Sequence, residues 1–147
     1  MSTPAPGPVA VTGFAHVRLT ITDLARSRAF YDALFGWDVA YELPPDADEA
    51  TRQALSFLYG GIIYSVPGGL LGLRPVAGAG DAFDEDRVGL DHLAFSVASP
   101  SDLQGAVAVL DALGVAHEPV KDLGALSILE FRDPDGVALE LSAAHAT

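Results

Sequence analysis

Residues 16–36 read HVRLTITDLARSRAFYDALFG, and the change of hydrophobic period inside this stretch decides the fold. Up to Thr22 the residues alternate. Ala15, Val17, Leu19 and Ile21 fall on one side, His16, Arg18, Thr20 and Thr22 on the other, which is the period of a half-buried strand. From Asp23 the spacing lengthens. Leu24, Ser27 or Arg28, Tyr31 and Leu34 or Phe35 recur at helical intervals. Thr22 or Asp23 offers an N-cap, and Gly36 stands just past the last turn. The stretch is a strand with one polar face, running into a capped helix over 23–35.

The same order returns downstream. Residues 92–97 (HLAFSV) set Leu93, Phe95 and Val97 against His92, Ala94 and Ser96. Residues 101–113 (SDLQGAVAVLDAL) carry Leu103, Val107, Leu110 and Leu113 on one helical face, with Ser99 or Ser101 as cap and Gly114 closing. His16 to Gly36 spans 20 positions and His92 to Gly114 spans 22, so the chain repeats a unit rather than extending one. Strands are expected after each helix. Residues 70–74 (LLGLR) and 137–142 (VALELS) alternate clearly, and further strands are expected around 37–42, 54–59, 62–66, 116–119 and 127–131. The fold class is α+β, with two βαβββ modules.

Residues 1–12 form a flexible leader, and a single domain covers 13–143. Its first module is 13–76 and its second is 90–143; the linker 77–89 (AGAGDAFDEDRVG) is rich in Gly, Ala and Asp with little periodicity. An acidic excursion at 44–53 (PPDADEATRQ) reads as a loop or short helix. Residues 132–136 (RDPDG) form a hairpin turn, with Pro at the second position and Gly relieving a positive φ. That turn sets the register of the last strand, and hence the direction of Glu140.

Composition narrows the chemistry. The chain has 147 residues, half of them apolar, and no cysteine. Disulfides, thiolate catalysis and zinc–thiolate sites are excluded together, so any metal must be held by His and carboxylate. Eight basic against 20 acidic residues give a formal charge of −12, a field that repels a phosphate backbone and argues against nucleic acid as a partner. No apolar run reaches the roughly 18 residues of a membrane span. The N-terminal residues lack the basic and apolar regions of a signal peptide. A cytoplasmic protein with no membrane partner is expected.

If each module packs its apolar strand face against its own helix, the polar faces line a concavity. His16, Arg18, Thr20, Gly72, Arg74, His92, Glu140 and Ser142 are then collected there. Two imidazoles and a carboxylate match the composition of a two-histidine, one-carboxylate metal triad. Spacing alone leaves a second reading open, in which this is the ordinary wet face of an antiparallel sheet. Arg18 and Arg74 share the face and suit a carboxylate, phosphate or enolate. Tyr64, Tyr59 and Trp37 could line the pocket, although strand aromatics are more often core. His117 and His145 fall at no ligand position, and surface or structural roles are expected for them.

Three stretches carry a family resemblance. Residues 16–39 resemble the first strand and helix of the vicinal oxygen chelate superfamily, which includes glyoxalase I, extradiol dioxygenases, fosfomycin-resistance enzymes, methylmalonyl-CoA epimerase and bleomycin-resistance proteins. Residues 89–97 (GLDHLAFSV) resemble the strand opening its second module, and 131–141 (FRDPDGVALEL) its closing hairpin. The resemblance covers about 13–143 and implies a cup-shaped, partly open β-barrel. It also implies four ligand positions, on the first and last strands of each module. Three fall on His16, His92 and Glu140. The fourth falls on Gly72, which cannot ligate and so argues against glyoxalase I and epimerase activity.

What the resemblance implies is one divalent ion (Fe2+, Mn2+, Ni2+, Co2+ or Zn2+) held by His16, His92 and Glu140. The expected activity is lyase, isomerase or dioxygenase chemistry on a small oxygen-rich or carbonyl substrate. Glu140 and Arg18 are the expected catalytic residues, with Arg18, Arg74 and Tyr64 in the substrate pocket. A homodimer is expected, the cup forming within one chain or between modules of two. The alternative is a non-catalytic protein of the bleomycin-resistance type that sequesters a small molecule or antibiotic.

Overall fold

The computed structural model describes residues 7–146; part of the expected leader, residues 1–6, lies outside them, and residues 7–12 carry no regular structure. Eight strands and three α-helices follow: β1 (His16–Thr20), α1 (Leu24–Phe35), β2 (Val39–Tyr41), α2 (Glu49–Ala54), β3 (Ile62–Val66), β4 (Gly69–Arg74), β5 (Leu93–Ser96), α3 (Pro100–Ala112), β6 (Lys121–Asp122), β7 (Leu126–Arg132) and β8 (Ala138–Ala144). They form two four-stranded sheets, ordered β1-β4-β3-β2 and β5-β8-β7-β6. In each, the opening strand pairs in parallel with the last, and the remaining pairings are antiparallel. Neither sheet closes. The α+β architecture of two open sheets is the expected one.

Local chemistry explains the helix ends. Asp23 caps α1 by accepting from the Arg26 backbone N–H, and Gly36 takes the left-handed conformation (φ 61°) that returns its N–H to Asp32. At α3 the cap is Ser99. Pro100 opens the first turn, where its missing N–H costs nothing, and the Asp102 carboxylate accepts from the Ser99 backbone N–H and hydroxyl.

Alternation places the core. Leu19, Ile62, Tyr64, Leu71 and Leu73 of the first sheet, with Ile21 just past β1, join Leu129, Phe131, Leu139 and Leu141 of the second in one cluster, with Tyr31, Leu103 and Leu110 from the helices. Each fully buried leucine contributes roughly 1.5–3 kcal/mol relative to exposure. Phe35 and Trp37 stack with ring centroids 4.1 Å apart, and both meet Phe95, at 5.3 and 5.2 Å, so the first helix and the opening strand of the second module share one aromatic contact.

The 132–136 turn does more than set register. As expected, Gly136 has positive φ (82°) and its N–H donates to the Asp133 carbonyl. The Asp133 carboxylate also accepts from the backbone N–H groups of Asp135 and Val137 and from the Tyr31 hydroxyl at 2.9 Å. Asp135 accepts from the Thr22 backbone N–H, the Thr22 hydroxyl and Arg26. Two buried carboxylates of the second module therefore clamp the β1–α1 junction of the first. Burial raises the Asp133 carboxyl above the usual carboxylate range, against the pull of its three donors.

Two expected strands are corrected. Residues 54–59 are helical: α2 ends at Ala54 and a 3-10 turn covers Ser56–Leu58. The acidic residue Asp48 caps α2 by accepting from Thr51, and only Leu58 of the 3-10 turn is buried, so neither face alternates. Residues 116–119 contribute one bridge, His117 to Phe131, because Pro119 lacks the N–H that a ladder requires. The α3 stripe is also shorter than expected, since Leu113 is 42% exposed. No helix among the described residues is long and apolar enough to cross a membrane.

Candidate functional site

His16, His92 and Glu140 stand at corresponding places in the two sheets, but they do not meet within the chain. His92, just before β5, and Glu140, in the middle of β8, line one cavity of about 440 Å3 together with His117, Lys121 and Glu130. His16 lines another, of about 400 Å3, with Arg18, Tyr41, Phe57, Ile63, Leu70 and Gly72. The two linings share no residue. Among the described residues no group of three or more His, Asp or Glu converges to hold a metal ion within one chain.

His92 Nε2 lies 3.8 Å from the Glu140 carboxylate. That is too long for a hydrogen bond. It is within the roughly 4 Å that two donors at about 2.0–2.2 Å from one ion can span. The ring is oriented from behind, where Nδ1 is hydrogen-bonded to the Asp91 carboxylate. That partner accepts from Nδ1 and leaves Nε2 as the ring nitrogen turned toward Glu140, the orientation that metal-ligating histidines use. The Asp91 bond is also the main reason that His92 titrates above the ordinary histidine range, with Glu140 adding to it. Residues 89–97 contained Asp91, but alternation cannot show that it turns onto its neighbour's ring.

Glu130 was not anticipated. It lies directly opposite Glu140 across the β7–β8 pair. Like charges in that position repel, and Lys121 offsets them through an ion pair of 2.5 Å with Glu130. His117, for which a surface or structural role was expected, lines the same cavity. Its Nδ1 faces the Glu118 carbonyl at 2.8 Å and its Nε2 the Asp111 carboxylate at 3.0 Å. Two acceptors favour the doubly protonated ring, and its pKa is raised, first by Glu118 and then by Asp111.

Strand register identifies the counterpart of Glu140. In the second sheet Glu140 pairs with Ala94, two residues past His92. In the first sheet the residue two past His16 is Arg18, and it pairs with Gly72. Gly72 thus occupies the position of Glu140, and Arg18 that of Ala94. A Cβ on Gly72 would stand 2.8 Å from the Arg18 Cγ, so the glycine is the bed on which the arginine lies.

The remaining expected pocket residues divide. Arg18 lines the His16 cavity. Arg74 does not reach it; its guanidinium lies 4.1 Å over the Tyr59 ring. Tyr64 is corrected to the core, being 0% exposed, with its hydroxyl donating to Asp32 at 2.7 Å. On β3 the cavity face belongs to Ile63, and Tyr64, one residue on, necessarily points the other way. Phe57 was missed because its segment read as a strand. Cavity size does not locate the chemistry: a space of about 700 Å3 beside Phe83, Asp84 and Asp135 contains no histidine.

Comparison with known proteins bears on the whole chain. An uncharacterized protein of Escherichia coli strain K12, YaeR, is 32% identical over 130 residues, covering 86% of this chain and 92% of that one. The crystal structure of a glyoxylase/bleomycin resistance protein/dioxygenase domain from Frankia sp. EAN1pec superposes with a TM-score of 0.73 at 32% identity, covering 92% of this chain and 94% of that one. The fosfomycin resistance protein FosX of Listeria monocytogenes has the same fold, with a TM-score of 0.69 at 22% identity over 92% and 95% of the two chains. The model of the Glyoxalase/Bleomycin resistance protein/Dioxygenase superfamily matches residues 13–141, and the chain belongs to that superfamily.

Proposed function

We propose that this protein is a metal-dependent enzyme that acts on a small oxygen-rich or carbonyl substrate. One divalent ion is held by His92 and Glu140 of one copy and His16 of a second. The observation that carries the reading is the His92–Glu140 pair, with Nε2 turned toward the carboxylate and Asp91 behind the ring. The donor set, neutral imidazole and carboxylate without thiolate, suits Fe2+, Mn2+, Ni2+, Co2+ or Zn2+. A mutant of FosX, which shares the fold, has been crystallised with Mn(II) and 1S,2S-dihydroxypropylphosphonic acid. Because His16 opens onto a different cavity from the other two, a complete triad calls for a homodimer in which the first module of one copy faces the second module of the other.

A divalent ion at this place supplies Lewis-acid chemistry and a template for two neighbouring oxygens of a substrate. The chain's own residues do the rest. Asp91 orients the His92 ring. Glu140 contributes negative charge, and Glu130 beside it is a carboxylate that the proposed ligand set leaves uncommitted, its charge offset by Lys121. Gly72 supplies no fourth ligand, so the centre stays open on the side of the first module. That openness favours lyase or dioxygenase chemistry over an isomerase that needs a second carboxylate ligand.

The test is metal analysis with light scattering on protein purified under metal-replete conditions. About one ion per chain, lost in both His16→Ala and Glu140→Ala, with a mass of two chains, is the expected result. A metal-free protein that still binds small molecules would return the reading to a sequestering role. A monomer with one ion that survives His16→Ala would remove His16 from the set.

A further inference from the structure

We infer that the cavity around His16 and Gly72 receives the acid group of an amphipathic anion on the Arg18 guanidinium, with the apolar part of that molecule against Tyr41 and Phe57. The inference rests on the reading of this face as the substrate side, and not on whether a metal is bound. It starts from where the positive charges go. The chain has eight basic residues against 20 acidic ones. Arg26, Arg28, Arg87, Lys121 and Arg132 each pair with a carboxylate, and Arg52 donates to the Ala47 carbonyl at the surface. Arg18 and Arg74 are left, both half-buried. In each the Nε is shielded from solvent and has no hydrogen-bond partner among the described residues. Arg74 has the Tyr59 ring. Arg18 has only a long contact of 3.4 Å from Nη2 to the Leu58 carbonyl.

A half-buried guanidinium without a counterion is costly, and of the two, Arg18 lacks even the aromatic face that Arg74 has in Tyr59. The backbone is shaped for it: any side chain at residue 72 would collide with the Arg18 stem. Where the second module presents Glu140, the first presents a cation over a glycine. A planar guanidinium binds carboxylates and phosphonates through two parallel hydrogen bonds. The rest of the lining is apolar, with Tyr41 and Phe57 in an edge-to-face pair at 6.0 Å and Ile63 and Leu70 beside them. A volume of about 400 Å3 falls within the range of small-ligand sites. The ligand class is therefore a small acid with one apolar or aryl arm.

Calorimetric titration of the purified protein with benzoate, phenylphosphonate and neutral benzamide tests this. Wild type should bind at least one of the two anions, and whichever binds tighter identifies the acid. Arg18→Met should weaken that anion about tenfold or more and leave benzamide unchanged. Should Arg18→Met not fold, Arg18→Lys, which keeps the charge but loses the fork, should weaken the anion severalfold. Equal anion affinity with and without the arginine overturns the inference, as does failure of wild type to bind either anion. So does an Arg18→Met protein that falls from dimer to monomer with its anion affinity intact, since a partner carboxylate would then be the counterion. Metal content separates the two proposals. Arg18-dependent anion binding by a metal-free protein sinks the metal reading alone, and one ion per chain with Arg18-independent binding sinks this inference alone.

Discussion

The two modules share a strand order, a parallel first pair and a capped helix, yet they use one register position in opposite ways. Two residues past its opening histidine, the second module pairs Ala94 with Glu140, and the first pairs Arg18 with Gly72. One module offers a carboxylate beside a small residue, the other a cation beside none. The turns differ as well. The β3–β4 hairpin closes through Pro67 and Gly68, whereas the β7–β8 turn carries Asp133 and Asp135, which reach back to Tyr31, Thr22 and Arg26. A repeated unit thus provides the scaffold, and differences between matched positions separate the proposed metal ligands, the inferred anion site and the clamp between modules.

The largest expected effect comes from removing the carboxylate that the first module lacks. Glu140→Ala should weaken metal binding by more than about a hundredfold, since loss of a mere supporting residue already costs 10–100-fold; metal retained after dialysis measures it. The clamp comes next. Asp133→Ala leaves the Tyr31 hydroxyl and two backbone N–H groups without their acceptor, at a cost of roughly 2–4 kcal/mol. Urea denaturation reads that loss, and a change under about 0.5 kcal/mol would show that the modules hold together without the turn.

A double-mutant cycle sharpens the Gly72 contrast. Gly72→Ala alone should destabilise by about 1–3 kcal/mol through overpacking against Arg18, and in an Arg18→Ala background most of that cost should vanish. Additive effects would mean that the glycine is there for another reason. The smallest effect is a pH dependence confined to the second module. His117 is raised above its ordinary value by Glu118 and Asp111, so the folded state holds its proton more tightly than the unfolded chain. That stabilisation is complete below about pH 6.5, the unperturbed histidine value, and fades as pH rises through the elevated one. His117→Gln should lower the slope of the melting-temperature profile across that window, leaving the part contributed by His92, which is raised as well; an unchanged slope would count against the two-acceptor geometry.

Much of this was legible in the sequence because alternation is local. Successive side chains of a strand point to opposite faces whatever else the chain does, so His16, Arg18, His92 and Glu140 could be assigned to polar faces directly. Caps are equally local, and Asp23, Ser99, Gly36 and the residues of the 132–136 turn were readable for that reason. The reading failed where hydrophobicity lacked a period. Residues 54–59 look like a strand in composition but follow a helix capped by Asp48, and the error hid Phe57. Tyr64 was misplaced by one residue of parity.

By itself, then, the sequence determined two βαβββ units and the polar face of each, and its family resemblance marked Gly72 as the place of a fourth ligand position. Tertiary structure alone decided which strands are neighbours, and through them that Gly72 lies under Arg18. It also decided that Asp91 orients His92, that Asp133 and Asp135 bind the modules together, and that His16 opens onto a cavity apart from His92 and Glu140. The division has a physical cause. Side-chain direction follows from the backbone of a single strand, whereas contacts between residues tens of positions apart depend on how the sheets and helices pack, which no local pattern encodes.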